Sequence, residues 1–267
     1  MSIAEFTRPF HAPSPTPLAW PVVGGKGVAA REIGGIDDDV RALQAIGTKA
    51  RIARNQAIFR QGEKADCVYK VVSGVVRLCR HMSGGRRPIV QFSYPGDFFS
   101  ILDDQTHSLT AEAVSDCVVM SYPNSAIAVL GEQRPSVRHR FATLMVQRLR
   151  EMENHLAVLG RQTAKERVIS FLLALRERIG MDEDDLVDVP MIRQDMADYL
   201  GLTNETVCRV VAELKRAGLI DTPNNRQFIL NDTEALEALA EGDEDVALWK
   251  RTQGAARSHT PHLAAAA

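Results

Sequence analysis

No part of this sequence sustains the roughly 18 apolar residues of a membrane-spanning helix, so no span is expected. Its first residues lack a basic stretch followed by an apolar core, so no secretory signal is expected either. Cysteine is sparse: Cys67, Cys79, Cys117 and Cys208 are scattered without a CxxC pair, and the expectation is a reduced, cytoplasmic protein. Catalytic signatures are missing as well. There is no GxSxG, HExxH, P-loop or paired-carboxylate motif, and neither enzymatic activity nor a bound metal or cofactor is expected. Nor does charge of one sign accumulate. The net charge is −2, and residues 161–240 hold ten Lys and Arg against fifteen Asp and Glu. A non-specific polyanion binder would have the opposite balance. A reader of particular sequences manages with a few placed cations, and the acids here collect at 182–185 and after Asp232.

What is present is room for two modest domains with tails, in 267 residues of ordinary globular composition. Residues 1–35 carry Pro9, Pro13, Pro15, Pro17 and Pro21 among Gly and Ala and are expected to be disordered or loosely docked. The same holds for 242–267, which ends in four alanines. Residues 36–133 form a first domain in which, from about Ile46 to Tyr122, short apolar runs alternate with glycine turns: AIF, Gln61-Gly62-Glu63, CVYKVV, Ser73-Gly74, VVRLCR, Ser83-Gly84-Gly85, PIVQF, Pro95-Gly96-Asp97. Turn signals every 8 to 12 residues or so predict an all-β barrel or jelly roll. Alternation in VVRLCR is imperfect, which leaves the strand registers open. A long helix is expected over 134–160, with Pro135 in its first turn. Met145, Leu149, Met152, Leu156 and Leu159 recur along it at steps of four and three, the seam of a two-stranded coiled coil. The alternative is a surface helix packed on its own barrel.

Residues 161–241 read as a second domain: a helix over 164–179, a β segment near 186–190, a helix over 193–200, a further helix from Asn204 to about Lys215, and a hairpin over 219–230 turning at Pro223-Asn224-Asn225. Thr203 is a good N-cap for the helix that follows it. At 100° per residue, Val207, Val210, Val211 and Leu214 share an arc of about 100°, while Asn204, Glu205, Cys208 and Arg209 share a separate arc of about 140°. The first arc packs on the preceding helix across the Gly201-Leu202 turn. The second stays open to a partner. Asn, Glu and Arg are the side chains that read adenine, cytosine and guanine edges in a major groove, so the pattern looks like a helix-turn-helix with a wing, facing double-stranded DNA.

A glycine-punctuated barrel, a dimerising helix and a C-terminal winged helix-turn-helix together resemble the CRP/FNR family of bacterial transcription regulators, an α+β architecture. The resemblance covers about 46–235 and is sharpest in DMADYLGLTNETVCRVVAELKRAGLI, where E-T-V-C-R is similar to the E-[ST]-[IV]-S-R signature of the FNR and FixK branch. RQGEKADCVYKVVSGVVRL and YPGDFF look like the family's cyclic-nucleotide-binding fold. The resemblance implies a homodimer with Arg209 on a guanine and Glu205 on a cytosine amine. It also implies phosphate contacts from Arg193, Gln194, Thr203 and Thr206 that set register without reading sequence. Asn204 either pairs with adenine or simply suits a first turn. Cys208 stands where the branch usually has Ser; it is either a tolerated replacement or a redox-sensitive thiol near a helix N-terminus.

Effector binding follows the same reasoning. Cyclic-AMP-binding members carry Gly-Glu after the Gly-Asp turn and then an Arg-Ser pair; here Gly96-Asp97-Phe98-Phe99-Ser100 has no Glu, and His107-Ser108 stands in place of the pair. Cyclic AMP is therefore not expected. An iron–sulfur cluster of the FNR type needs an N-terminal cysteine group, and no cysteine precedes Cys67. His81 and His107 read as surface residues of barrel loops, not haem ligands. What remains resembles FixK, which implies activation of low-oxygen respiration or nitrogen-fixation genes from a palindrome near TTGAT-N4-ATCAA, with RNA polymerase as a further partner. A family member that binds a small effector in its barrel is the second reading. A cupin-like enzyme is the third, but it would need a His/His/Glu/His set where the barrel offers only His81 and His107.

Overall fold

A computed structural model of the chain describes residues 36–101, 105–180 and 186–243. The expectations for 1–35, for the acids at 182–185 and for the tail from 244 onward lie outside the described residues.

The first unit opens with helix α1 (Ile36–Ile46) and continues in eight strands: β1 (Thr48–Ile52), β2 (Ala57–Phe59), β3 (Cys67–Ser73), β4 (Val76–Cys79), β5 (Ile89–Ser93), β6 (Phe98–Phe99), β7 (Thr110–Ala113) and β8 (Cys117–Pro123). They form two four-stranded antiparallel sheets, ordered β1-β8-β3-β6 and β2-β7-β4-β5. Phe59, Val71, Val76, Leu78, Phe99 and Val119 fill the space between them. Gly74 lets the β3–β4 turn close: its φ is +79°, and a Cβ there would stand 2.4 Å from the Asp116 carbonyl oxygen. Only glycine fits both demands.

The imperfect alternation of VVRLCR has a physical cause in β4. Val76 and Leu78 point into the barrel, whereas Cys79 joins the core shared with the second unit. All four β4 residues are buried, because a strand covered on both faces does not need polar residues at every second position.

Helices α2 (Asn124–Gln133) and α3 (Pro135–Arg161) follow the barrel. The turn pattern over about 46–122 gave strands only; α1 and α2 flank it within 36–133 and were not read from the sequence. They are short amphipathic pieces stabilised by burial, not by strong local signals: α2 has no side-chain cap at its N-terminus. Leu43 of α1, Leu130 of α2 and Val137 and Phe141 of α3 form one cluster with Val68 and Tyr122.

The second unit runs α4 (Ala164–Ile179), β9 (Leu186–Asp188), α5 (Arg193–Leu200), α6 (Asn204–Arg216), β10 (Ile220–Asn224), β11 (Gln227–Leu230) and α7 (Thr233–Ala240). Thr163 and Glu166 make a reciprocal capping box at the start of α4. The wing is a three-stranded antiparallel sheet ordered β10-β11-β9. Its hairpin turns at Asn225-Arg226, not at Pro223-Asn224-Asn225, because Pro223 and Asn224 belong to β10. An edge strand tolerates proline, since one side of its ladder is unpaired, and the register is irregular between Asp221 and Asn224.

The two units share a core and a buried charge cluster. Phe92 of β5 meets Tyr199 of α5 edge-on at 5.1 Å between ring centres. Beside it, the Arg77 guanidinium donates to both carboxylate oxygens of Asp195, at 3.2 and 3.1 Å, and to Glu112 Oε2 at 2.9 and 2.8 Å. Arg87 bridges the same acids, at 2.8 Å to Glu112 and 2.9 Å to Asp195. Asp195 is only 1% exposed, so its charge depends on these two cations. Removing one partner of a buried pair costs about 3–5 kcal/mol. With Arg87 still in place, Arg77→Met is expected to lose stability near the lower end of that range in urea unfolding. A loss below about 1 kcal/mol would show that the cluster does not hold the units together.

Candidate nucleic-acid interface

The joint between α5 and α6 is built from three local devices. Gly201 adopts the left-handed conformation (φ 64°, ψ 35°) that ends α5. The Leu202 amide then donates to the Ala197 carbonyl at 3.0 Å. Thr203 starts α6 by accepting from the Thr206 amide at 3.1 Å. A fourth support was not visible in the sequence. The Arg167 guanidinium, on α4, donates to the carbonyls of Leu159, Gln162 and Leu200 at 2.6, 2.9 and 3.1 Å. It thereby ties the end of the long helix to the turn of the helix pair. An arginine facing several carbonyls cannot be recognised until the chain brings those helix ends together.

On α6 the two arcs separate as the spacing required. Val207, Val210, Val211 and Leu214 are buried. Asn204, Glu205, Cys208 and Arg209 are all exposed. Among the described residues, neither the Glu205 nor the Arg209 side chain has a hydrogen-bond or ion-pair partner within the chain. The Cys208 thiol lies 3.8 Å from Asn204 Oδ1. The positive end of the α6 dipole opens on the same side.

Around this face the four residues assigned to phosphates differ in their settings. Gln194 and Thr203 are exposed and Thr206 is half-buried. Gln194 donates to Asp198 at 2.7 Å, and the Thr203 and Thr206 hydroxyls pair at 2.9 Å. Arg193 is half-buried, with its guanidinium 4.3 Å above the Phe228 ring of the wing. Arg193 therefore supports the wing, and its guanidinium also donates to Met196 Sδ at 3.5 Å. Arg226 at the hairpin tip is exposed; the sequence reading did not single it out, although a cation in a predicted wing turn was a signal it could have used.

Along α3, Met145, Leu149, Met152 and Leu156 are 40%, 55%, 37% and 67% exposed. Leu159 differs from the rest of the seam. It is half-buried, and its Cδ2 lies 3.7 Å from where a Cβ on Gly201 would stand.

The Crp-like helix-turn-helix domain model matches residues 166–239, and the cyclic nucleotide-binding domain model matches 49–134. The nitrogen fixation regulation protein FixK of Azorhizobium caulinodans is 40% identical over 220 residues, 80% of this chain and 86% of that protein. The protein of the same name from Bradyrhizobium diazoefficiens is 34% identical over 76% of this chain and 86% of its own length. The solved structure of FixK2 from Bradyrhizobium japonicum superposes with a TM-score of 0.69 at 34% identity, covering 73% of this chain and 97% of that one.

The chain belongs to the CRP/FNR family of transcription regulators. It is a FixK-like member, and its winged helix-turn-helix is a DNA-binding domain.

Within this CRP/FNR regulator the effector region of the barrel departs from expectation at one residue. His107 is not a surface residue: it is 2% exposed, its ring stacks on Phe59 at 3.5 Å between centres, and its Nδ1 lies 3.0 Å from Ser100 Oγ. A neutral imidazole with a hydroxyl partner can be buried among aromatics where a solvated loop was expected. Beside Phe99, Ser100 and Ser108 lies a space of about 110 Å³, and a larger one of about 430 Å³ is lined by Leu43, Lys70, Val72, Phe98, Met120 and Arg140. The Gly-Asp turn has a structural task. Asp97 forms an ion pair with Arg178 of α4 and accepts from the Tyr94 amide at 2.8 Å. Burial nevertheless pushes its carboxyl up to about 6, against the pull of Arg178. His81 is more than half exposed and sits beside Cys79 and Glu112. No described helix is long and apolar enough to cross a membrane.

Proposed function

We propose that this regulator acts as a homodimer in the cytoplasm, two copies joined along α3 presenting α6 to successive major grooves of a palindrome close to TTGAT-N4-ATCAA. One observation carries this reading: the four side chains of α6 able to meet base edges are exposed together, while the valines between them are buried. Arg209 pairs with a guanine and Glu205 accepts from a cytosine amine of the same site. Asn204 and Cys208 complete the base-facing row, the latter against a thymine methyl. Arg193, Gln194, Thr203 and Thr206 hold phosphates. Half-sites one helical turn apart suit a two-fold dimer, and the apolar row Met145, Leu149, Met152, Leu156 supplies its seam, with Leu159 at the seam's inner end. The names of the FixK relatives support a role in regulating nitrogen fixation; activation of those or low-oxygen genes, RNA polymerase as the downstream partner and the lack of catalytic activity follow from the family resemblance. The lack of the Glu and of the Arg-Ser pair supports binding to DNA without cyclic AMP; a family member that binds another small effector in its barrel is the second reading.

Arg209→Ala is expected to lower affinity for the cognate palindrome by about 1–3 kcal/mol and to flatten preference at one base pair. Arg193→Ala should weaken all sequences alike. Fluorescence anisotropy on a set of single-base operator variants reads both, and unchanged preference in Arg209→Ala would remove the proposed base-reading role. Leu149→Glu buries a carboxylate in the seam and should give monomers by analytical ultracentrifugation; a stable dimer would place the interface elsewhere. Cys208 decides a further point. Oxidation of its thiol to a sulfenic acid would put a polar group against the bases. If the thiol is a switch, peroxide abolishes operator binding by the wild type and spares Cys208→Ser; equal loss in both leaves Cys208 a contact residue only.

A further inference from the structure

Strand β4 and the loop after it place Arg77, Cys79 and His81 two residues apart, so all three project from one face of the barrel. Across the ladder, Arg77 is registered with Glu112 and Cys79 with Thr110, which brings the Glu112 carboxylate to the same face. Cys79 Sγ and His81 Nε2 are 3.8 Å apart, His81 Nε2 and Glu112 Oε1 are also 3.8 Å apart, and the three donor atoms all lie within 4.8 Å of one another. A tetrahedral zinc ion with ordinary Zn–S and Zn–N lengths would set neighbouring donors about 3.5 Å apart. The two pairs made with His81 are within a few tenths of an ångström of that spacing, and the Cys79–Glu112 pair closes by a larger movement of the Cys79 or Glu112 side chain.

The two oxygens of Glu112 are divided between tasks. Oε2 is held by Arg77 and Arg87, while Oε1 faces His81. The carboxylate is thus oriented from behind, as metal-ligating carboxylates are. The His81 amide donates to Gln61 Oε1 at 3.2 Å, fixing the loop. Charge also balances. Glu112, Asp195 and Asp198 against Arg77 and Arg87 leave one negative charge in the cluster. A divalent ion entering as Cys79 gives up its thiol proton to solvent brings that sum to zero. Cys79 is fully buried, but the His81 side chain is 54% exposed, so the site has an open side for entry and for a water as fourth ligand.

We propose that Cys79, His81 and Glu112 bind a borderline-soft divalent metal ion of the zinc class, at the junction of the barrel and the DNA-binding unit. Thiolate, imidazole and carboxylate together favour zinc over magnesium or calcium, which take oxygen ligands. The ion repels the Arg77 and Arg87 guanidiniums towards Asp195 and so tightens the clamp on α5. This effect on DNA binding rests on the function proposed above; metal binding itself does not.

Cobalt(II) is the probe, titrated into untagged, chelator-treated full-length protein. One cobalt per chain with a thiolate-to-cobalt charge-transfer band, displaced by zinc, is expected. The band should vanish in Cys79→Ser and persist in Cys67→Ser and Cys208→Ser. Because Cys79 is buried, the half-exposed His81→Ala serves as the variant that keeps the fold, and it should weaken cobalt binding about tenfold or more. No thiolate band, or a band unaffected by both Cys79→Ser and His81→Ala, overturns the site. For the coupling, zinc-loaded and metal-free protein should differ about fivefold or more in operator affinity. Equal affinities remove the coupling and leave the cobalt result to stand by itself, whereas a protein that binds cobalt but no operator refutes the proposed function alone.

Discussion

Asp195 sits in the first turn of α5 at almost zero exposure, between two arginines that belong to the other unit of the chain. A carboxylate in that position is tolerable only while Arg77 and Arg87 stay against it, because an isolated buried charge costs far more than a hydrogen bond returns. The orientation of the helix pair relative to the barrel is therefore set by charge as well as by the apolar contact of Phe92 with Tyr199. Arg178 on α4, paired with Asp97 in the Gly-Asp turn, is a second bridge of the same kind. The barrel thus meets the DNA-binding unit through ion pairs whose acids or cations lie on both sides.

The barrel interior of this protein is packed with aromatic rings. His107 and the stacked rings of Phe59, Tyr69 and Phe99 occupy the interior, and the turn that carries a ligand-binding Glu in cyclic-AMP-dependent relatives here carries phenylalanines. The outer face of β4 is spent on the junction.

Legibility in the sequence tracked the range of the interaction. Helices α4 and α5 were placed from spacing and punctuation alone, and α6 to within one residue, because their caps at Thr163 and Thr203, the stop at Gly201 and their apolar stripes are all local. The two arcs of α6 could be read for the same reason. Helices α1 and α2 were not, since what stabilises them is a cluster drawn from distant segments. Pro223 was taken for a turn residue; that β10 is an edge strand is a fact of sheet order. The burial of His107 depends on Phe59, which is distant in sequence, as well as on Ser100 seven residues earlier. Arg167 went unnoticed because its partners are carbonyls at the ends of other helices.

The sequence by itself determined that this chain carries a winged helix-turn-helix with a polar reading face, a glycine-punctuated barrel and a long apolar-striped helix between them. Those features rest on dihedral preferences and on periods of two and 3.6 residues, which act within a few positions of the chain. Only the tertiary structure decided which way the barrel faces the helix pair, that Glu112 and Asp195 share two arginines, and that Cys79, His81 and Glu112 converge. Burial and charge pairing depend on distance in space, and residues 77, 112 and 195 become neighbours only once every intervening element has packed.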